Sequence, residues 1–201
     1  MRRALLLSIA ALAACGAVER PFPVGLVGPV SSSLAAEAAR LGLIVVDSAP
    51  SGSAVSGVVT SRDGLRLAAA RAAVAGASGF FVRPGSPEGR DLLDYPEEWQ
   101  APSRVLRELS ALRPVLEGGA LVALPFPVPA GLEARAWRFG GRVYVVLANP
   151  TAGAVRLDAE RLAGWRALFS ERADAARALG VEVGPCQLGP GRALWLEGRL
   201  L

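Results

Sequence analysis

Short runs that are apolar from end to end, each followed by a capped, Ala-rich helical stretch, constrain this chain more than any other feature. Val24-Gly25-Leu26-Val27, Leu43 to Val46 and Gly79-Phe80-Phe81-Val82 show no polar alternation. Strands buried on both faces read this way, whereas half-exposed strands alternate. Val55 to Thr60 reads as a further short strand. Between these runs, Ser31 to Ser33 are placed to cap a helix over 34–41 that Gly42 ends. Asp63 is placed to cap a second helix to Ala75, closed by Gly76. Serine and aspartate accept hydrogen bonds from the first turn, and glycine takes the left-handed conformation that stops a helix. A loop through Pro84, Pro87 and Pro96 leads to a third helix from Ser103 to Leu116. The alternation predicts parallel β/α units over 24–118, with helices covering both faces of the sheet.

Beyond Gly118 the pattern changes to short strands and turns. Ala120 to Leu124 precedes a corner at Pro125 to Pro129, and Leu132 to Phe139 and Arg142 to Ala148 flank Gly140-Gly141. Two glycines between alternating runs predict a tight hairpin, because both turn positions need positive φ. Asn149-Pro150-Thr151 makes the next turn. With Val155 to Asp158, Trp165 to Phe169 and Ala193 to Glu197, five or six strands form an antiparallel sandwich over 119–201. Trp137, Trp165 and Trp195 fall on strands and are expected in its core or at the seam between the layers.

The amino terminus carries a different signal. Arg2 and Arg3 precede an apolar stretch from Ala4 to Ala11, too short to span a bilayer as a helix. Leu12-Ala13-Ala14-Cys15-Gly16 follows, and it resembles the lipobox of bacterial lipoproteins. The resemblance implies removal of residues 1–14, a thioether-linked diacylglyceryl group on Cys15 and acylation, as by palmitate, of the new amino terminus. Two or three acyl chains anchor a protein stably where one binds marginally. The expected location is therefore the cell envelope, on the extracytoplasmic side of a membrane, with 15–23 as a tether. An ordinary secretory signal that happens to precede a cysteine is the alternative.

Composition removes several functions. Every basic residue is Arg, scattered along the chain, and without Arg2 and Arg3 the 22 basic residues become 20 against 18 acidic ones, a net of +2. The nearest to a cluster, Arg104, Arg107 and Arg113, is interrupted by Glu108. No basic stripe is interleaved with aromatics, so a nucleic-acid partner is not expected. The chain has no histidine, which excludes a Ser-His-Asp triad, a Cys-His pair and histidine zinc sites. No metal and no cofactor are expected. Cys186, in Gly184-Pro185-Cys186, is then a lone thiol that reads as a small buried hydrophobe. No stretch after the leader reaches the ~18 apolar residues of a spanning helix, so the body is expected to be globular.

Two stretches carry a second resemblance. Leu65 to Val82 runs an Arg- and Ala-rich helix through Ala75-Gly76-Ala77-Ser78-Gly79 into Phe80-Phe81, followed by Trp99 and the helix ending Leu109, Leu112, Pro114, Val115, Leu116. This is similar to the closing portion of a (β/α)₈ glycosidase barrel. Ala134 to Thr151 and the terminal Leu188-Gly189-Pro190-Gly191 to Leu196 resemble the β domain appended to many such enzymes. The matches occur in the family's order over roughly residues 60 to 201. A full barrel needs ~200–250 residues, and only about a hundred stand here. The fold class expected is thus α/β plus all-β, a partial (β/α) barrel-like layer followed by a small antiparallel β-sandwich.

Glycoside cleavage requires two carboxyl groups ~5 to 10 Å apart. Asp47, at the end of an apolar strand, is the best-placed catalytic acid, because sites in β/α folds form at strand C-termini. It is equally suited to cap a turn with Ser48. Asp94, Glu97 and Glu98 share a loop with Tyr95 and Trp99. The resemblance makes Tyr95, Glu98 and Trp99 candidate glycan contacts, with the aromatics stacking on sugar rings; packing at a barrel end or domain seam is the other reading. The expected function is an envelope-anchored, glycosidase-like lipoprotein that binds a carbohydrate without cleaving it. The alternatives are an assembly module whose sheet edge pairs with a protein partner, and a weak glycoside hydrolase.

Overall fold

The computed structural model describes residues 21–57, 61–84, 92–169 and 186–199. The expected leader, Cys15 and most of the tether lie outside these residues, as does the side chain of Cys186. The chain begins with β1 (Val24–Val27), α1 (Ser32–Arg40) and β2 (Ile44–Val46). It continues with β3 (Ala54–Ser56), α2 (Arg62–Ala75), β4 (Phe80–Val82), a 3-10 turn at Leu92–Asp94 and α3 (Pro96–Gly118).

Capping chemistry explains most helix ends. Ser31 Oγ accepts from the Leu34 amide at 3.0 Å at the start of α1. Gly76 closes α2 with φ 81°. All three helix starts differ from the sequence expectation, α1 beginning at Ser32 rather than at residue 34. Ser61 rather than Asp63 caps α2, its Oγ accepting from the Gly64 amide at 3.1 Å, and Asp63 lies within the first turn. The third helix starts at Pro96, seven residues before Ser103. Proline at the first helical position loses no intrahelical bond, and the earlier start carries Trp99 and Pro102 onto the buried stripe of Val105, Leu106, Leu109, Leu112 and Val115.

The four strands form one parallel sheet in the order β2-β1-β4-β3. An arc of a (β/α) barrel would set its strands side by side in chain order. Here β4 enters between β1 and β3, so the parallel, helix-backed layer is as expected while the strand order is not that of a barrel arc. Cover by helices on both faces is also not found among the described residues. All three helices share one core with Val24, Leu26, Phe80 and Val82, which point to a single face. The opposite face carries Val27 and Phe81, both buried, flanked by the more exposed Ile44 and Val55. Gly25 permits the close pairing of β1 and β2, since a Cβ there would run into the carbonyl oxygen of Ile44.

The second layer follows the sequence closely. A five-stranded antiparallel sheet holds β5 (Ala120–Val122), β6 (Glu133–Phe139), β7 (Arg142–Asn149), β9 (Arg166–Leu168) and β11 (Arg192–Gly198), in the order β5-β6-β7-β11-β9. Gly140 and Gly141 turn β6 into β7 with φ of 56° and 75°. A second sheet pairs β8 (Val155–Leu157) with β10 (Cys186–Leu188). That pairing adds a seventh strand to the five or six expected. A three-residue run among turn residues shows too little alternation to be recognised alone.

Alternation along the long strands divides their side chains between two cores. Val143, Val145, Leu147 and Leu196 pack with Leu157 and Leu188 between the sheets. Trp137, Val146, Ala148 and Trp195 face the other way and join α2 and α3 in the main core. The expected boundary near residue 118 is therefore a change of architecture, with one apolar core running across it. Polar contacts fasten the same seam. Arg135 Nη1 donates to the carbonyls of Ala73 and Val74 at 3.2 and 2.9 Å, placing a cation on the negative end of α2. Arg71 pairs with Glu133 at 2.9 Å.

Candidate functional site

The direction of α3 locates the candidate residues. The Phe22 amide, just before β1, donates to Glu117 near the end of α3 at 2.8 Å. The carboxyl end of α3 thus lies beside the start of the parallel strands. Its 23 residues span about 34 Å, against roughly 10 Å for a three-residue strand. Because α3 follows β4 and ends beside the start of β1, its beginning lies toward the C-terminal edge of the sheet, the edge on which β1 to β4 are followed by Gly28, Asp47, Gly57 and Arg83.

Asp47 follows β2 directly and is exposed. Tyr95 is half-buried at the start of α3, and its carbonyl accepts from the Glu98 and Trp99 amides at 2.9 and 3.1 Å. Glu97 and Glu98 are exposed in the first turn, where a negative charge complements the helix dipole. Asp94 is exposed beside them. Trp99 is not with this group. Its ring is 7% exposed and packed in the main core, so it offers no face to a sugar and the packing reading of this residue is the one realised. Tyr95 and Glu98 are brought together by one helical turn, and Asp47 stands on an edge strand of the same sheet edge.

A second polar centre escaped the sequence reading. Glu197 on β11 is only 6% exposed, yet it is ionically paired twice. Arg142 Nη1 donates to it at 2.7 Å, Arg166 pairs with its other oxygen, and the Tyr144 hydroxyl lies 3.4 Å away. Strand alternation from Trp195 would have put Glu197 on the inward face, but its partners come from other strands. Burial raises its pKa, and the Arg166 and Arg142 hydrogen bonds and charges outweigh that, leaving the carboxyl below its ordinary range. Burial and then the Glu197 charge push the Tyr144 phenol up.

A carboxyl whose pKa falls on folding stabilises the fold at pH above its unfolded value of about 4.3, and the contribution disappears as pH drops through the lowered value. Melting temperatures of wild type and Glu197→Gln between pH 7 and pH 3 should therefore differ most at neutral pH and converge in acid. A constant gap across that range would show that the charge of Glu197 is irrelevant to the fold.

Among the described residues no group of three or more His, Cys, Asp or Glu is placed to hold a metal ion. No described helix is long and apolar enough to cross a membrane. No family model matches the chain, and no curated protein matches it. Among solved structures it is similar to a GH30 endoxylanase from Clostridium papyrosolvens C71, at 12% identity and a TM-score of 0.40 over 85% of this chain and 45% of that one. A glycoside hydrolase family 30 subfamily 8 xylanase from Clostridium acetobutylicum matches at 10% identity and 0.41, over 88% and 56% of the two chains. An alpha-amylase from Geobacillus thermoleovorans matches at 17% and 0.41, over 66% and 32%. The chain spans less than two thirds of the length of each.

Proposed function

We propose that this chain is an envelope-anchored, glycosidase-like module that binds a glycan and does not cleave it. The anchor rests on Leu12 to Gly16, and the glycosidase likeness on the ordered sequence resemblance over roughly residues 60 to 201. The observation that carries the non-catalytic part is the makeup of the sheet edge. The described residues that directly follow the four parallel strands are Gly28, Asp47, Gly57 and Arg83, so the strand ends carry one carboxylate, and the other acids toward this edge, Asp94, Glu97 and Glu98, stand exposed around the first turn of α3, a setting that suits ligand contact better than the opposed pair of hydrolysis. Asp47, Tyr95 and Glu98 supply the polar and aromatic groups a sugar would meet there.

Full-length protein in detergent, screened on a glycan array, should retain at least one glycan class. Tyr95→Ala should weaken that retention by about tenfold, the loss of one aromatic contact. Aryl glycosides should be left intact by wild type and by Asp47→Asn alike. Turnover by wild type that vanishes in Asp47→Asn would replace this reading with that of a hydrolase. Labelling with radioactive palmitate, abolished by Cys15→Ser, checks the anchor separately.

One observation favours the assembly reading. Among the described residues the exposed large hydrophobics are Ile44, Val45, Val55, Leu121 and Leu124, all on or just beyond the sheet-edge strands β2, β3 and β5. Open edges with apolar side chains are templates for strand pairing. Retention of no glycan, together with a cross-linked protein partner lost in Ile44→Lys, would select that reading.

A further inference from the structure

We propose that the N-terminal edge of the parallel sheet is the surface this protein turns to the membrane, holding the candidate glycan edge away from the lipid; the inference rests on the anchor reading at Cys15. Acyl chains on Cys15 keep that residue at the membrane surface. Cys15 and Pro21 are six positions apart, so the chain between them reaches about 21 Å when fully extended. The point where the chain leaves the body is fixed. Phe22 is buried in the main core, and its amide donates to Glu117 Oε1 at 2.8 Å. The same oxygen accepts from Arg113 Nε at 2.8 Å, which braces it on α3. The tether therefore starts beside the carboxyl end of α3.

Reach and helix length together exclude the inverted arrangement. Glu98 and Glu117 are 19 positions apart on α3, about 28 Å along the helix. With the first turn of α3 resting on the membrane, Phe22 would stand about 28 Å above it, beyond the ~21 Å reach of the tether. Closing that gap would push Asp94, Glu97 and Glu98, all exposed, into the apolar layer. A carboxylate is costly there. A body lying flat on the lipid would satisfy the tether, so the makeup of the two edges decides between flat and upright.

The turns entering β2, β3 and β4, at 41–43, 51–53 and 76–79, contain no charged residue. Backbone bonds gather those before β3 and β4 beside the start of β1. The Ser78 amide donates to the Gly52 carbonyl at 3.0 Å, that of Ala54 to Gly79 at 2.9 Å and that of Phe80 to Pro23 at 2.9 Å. Charged side chains in the last turns of α1 and α3 are paired, Arg40 with Glu37 at 2.7 Å and Arg113 with Glu117 at 2.8 Å. Such turns approach lipid head groups without stripping water from a charge. The opposite edge carries Asp47, Arg83, Asp94, Glu97 and Glu98. Tyr95 and Glu98 are thereby presented to glycan lying beyond the bilayer.

Energy transfer from the lipidated full-length protein to vesicles of phosphatidylethanolamine and phosphatidylglycerol carrying a head-group acceptor dye tests the proposal. With Cys186→Ser as background, a donor dye is placed at Ser51→Cys or at Glu97→Cys. Transfer from Ser51→Cys should be about twofold higher or more, given the ~28 Å between the two ends of α3. Inserting about 30 Gly/Ser residues after Val18 adds a coil of roughly 30 Å and should erase the difference. Equal transfer from the two positions, higher transfer from Glu97→Cys, or a difference that survives the insertion would overturn the proposal. Ala75→Cys, exposed at the end of α2 on the same edge, replaces Ser51→Cys if that variant does not fold. Flotation keeps the two readings apart: wild type should rise with the vesicles and Cys15→Ser should not. Wild type that stays behind removes the anchor and this inference together. Vesicle-bound protein with no preferred edge removes this inference alone.

Discussion

Trp195→Ala should lower the unfolding free energy by roughly 3–5 kcal/mol, the range for truncating a buried tryptophan. The side chain is 6% exposed and sits in the core shared by both layers. It stacks on Trp137 with ring centroids 6.2 Å apart and planes 24° from parallel. Its neighbours cannot collapse into the space, because β11 is held on both sides by β7 and β9. The cavity would open between α2 and the five-stranded sheet, the seam that also carries Arg135. Urea unfolding of wild type and variant measures the loss. A change below about 1 kcal/mol would mean that the helices and the sandwich do not depend on one another.

Asn149→Ala should be the most damaging polar substitution, at about 3 kcal/mol, since several buried groups lose their partner together. Asn149 is fully buried at the end of β7. The two hydrogens of its Nδ2 are shared among the carbonyls of Gly153, Leu188 and Gly189, at 2.8, 2.8 and 3.0 Å. Its Oδ1 accepts from the Thr151 amide at 3.0 Å and from the Thr151 hydroxyl at 2.6 Å. One side chain thereby closes its own turn and ties it to the segment entering β11. Asn149→Asp keeps the shape and the acceptor, removes both N–H donors and buries a charge against carbonyl oxygens. It should destabilise at least as much as alanine at neutral pH. Thermal melts of both variants decide the matter, and an aspartate variant as stable as wild type would show that the donated bonds are dispensable.

These two side chains stand at different distances from what sequence pattern can express. Trp195 falls on a strand, which by itself points to the core or the seam, and the structure buries it in the core that crosses the seam. Asn149 was recognised as the start of a turn, but three carbonyls reached by one amide have no sequence signature. The same division runs through the candidate site. Asp47 at a strand end and Tyr95 beside Glu98 could be located from local pattern alone. The burial of Trp99 could not, because it depends on α3 starting at Pro96 and on the main core accepting the ring. The ion pair between Arg66 and Glu108 joins residues 42 apart, and that between Arg142 and Glu197 joins residues 55 apart. Such partners are chosen by the packing of elements, and nothing near either residue announces the other.

By itself the sequence determined the local structure: apolar runs became strands, serines and Gly76 bounded helices, Gly140-Gly141 made the hairpin, and period-two alternation sorted the long strands into two faces. These outcomes depend on φ/ψ preferences and hydrogen bonds within a few residues. Only the tertiary structure decided that β4 enters between β1 and β3, that α1, α2 and α3 back one face, and that Arg66 and Arg104 converge on Glu108. Those arrangements bury apolar faces and pair charges between segments far apart in the chain. The relevant energies belong to contacts between distant segments, and no short window of sequence contains them.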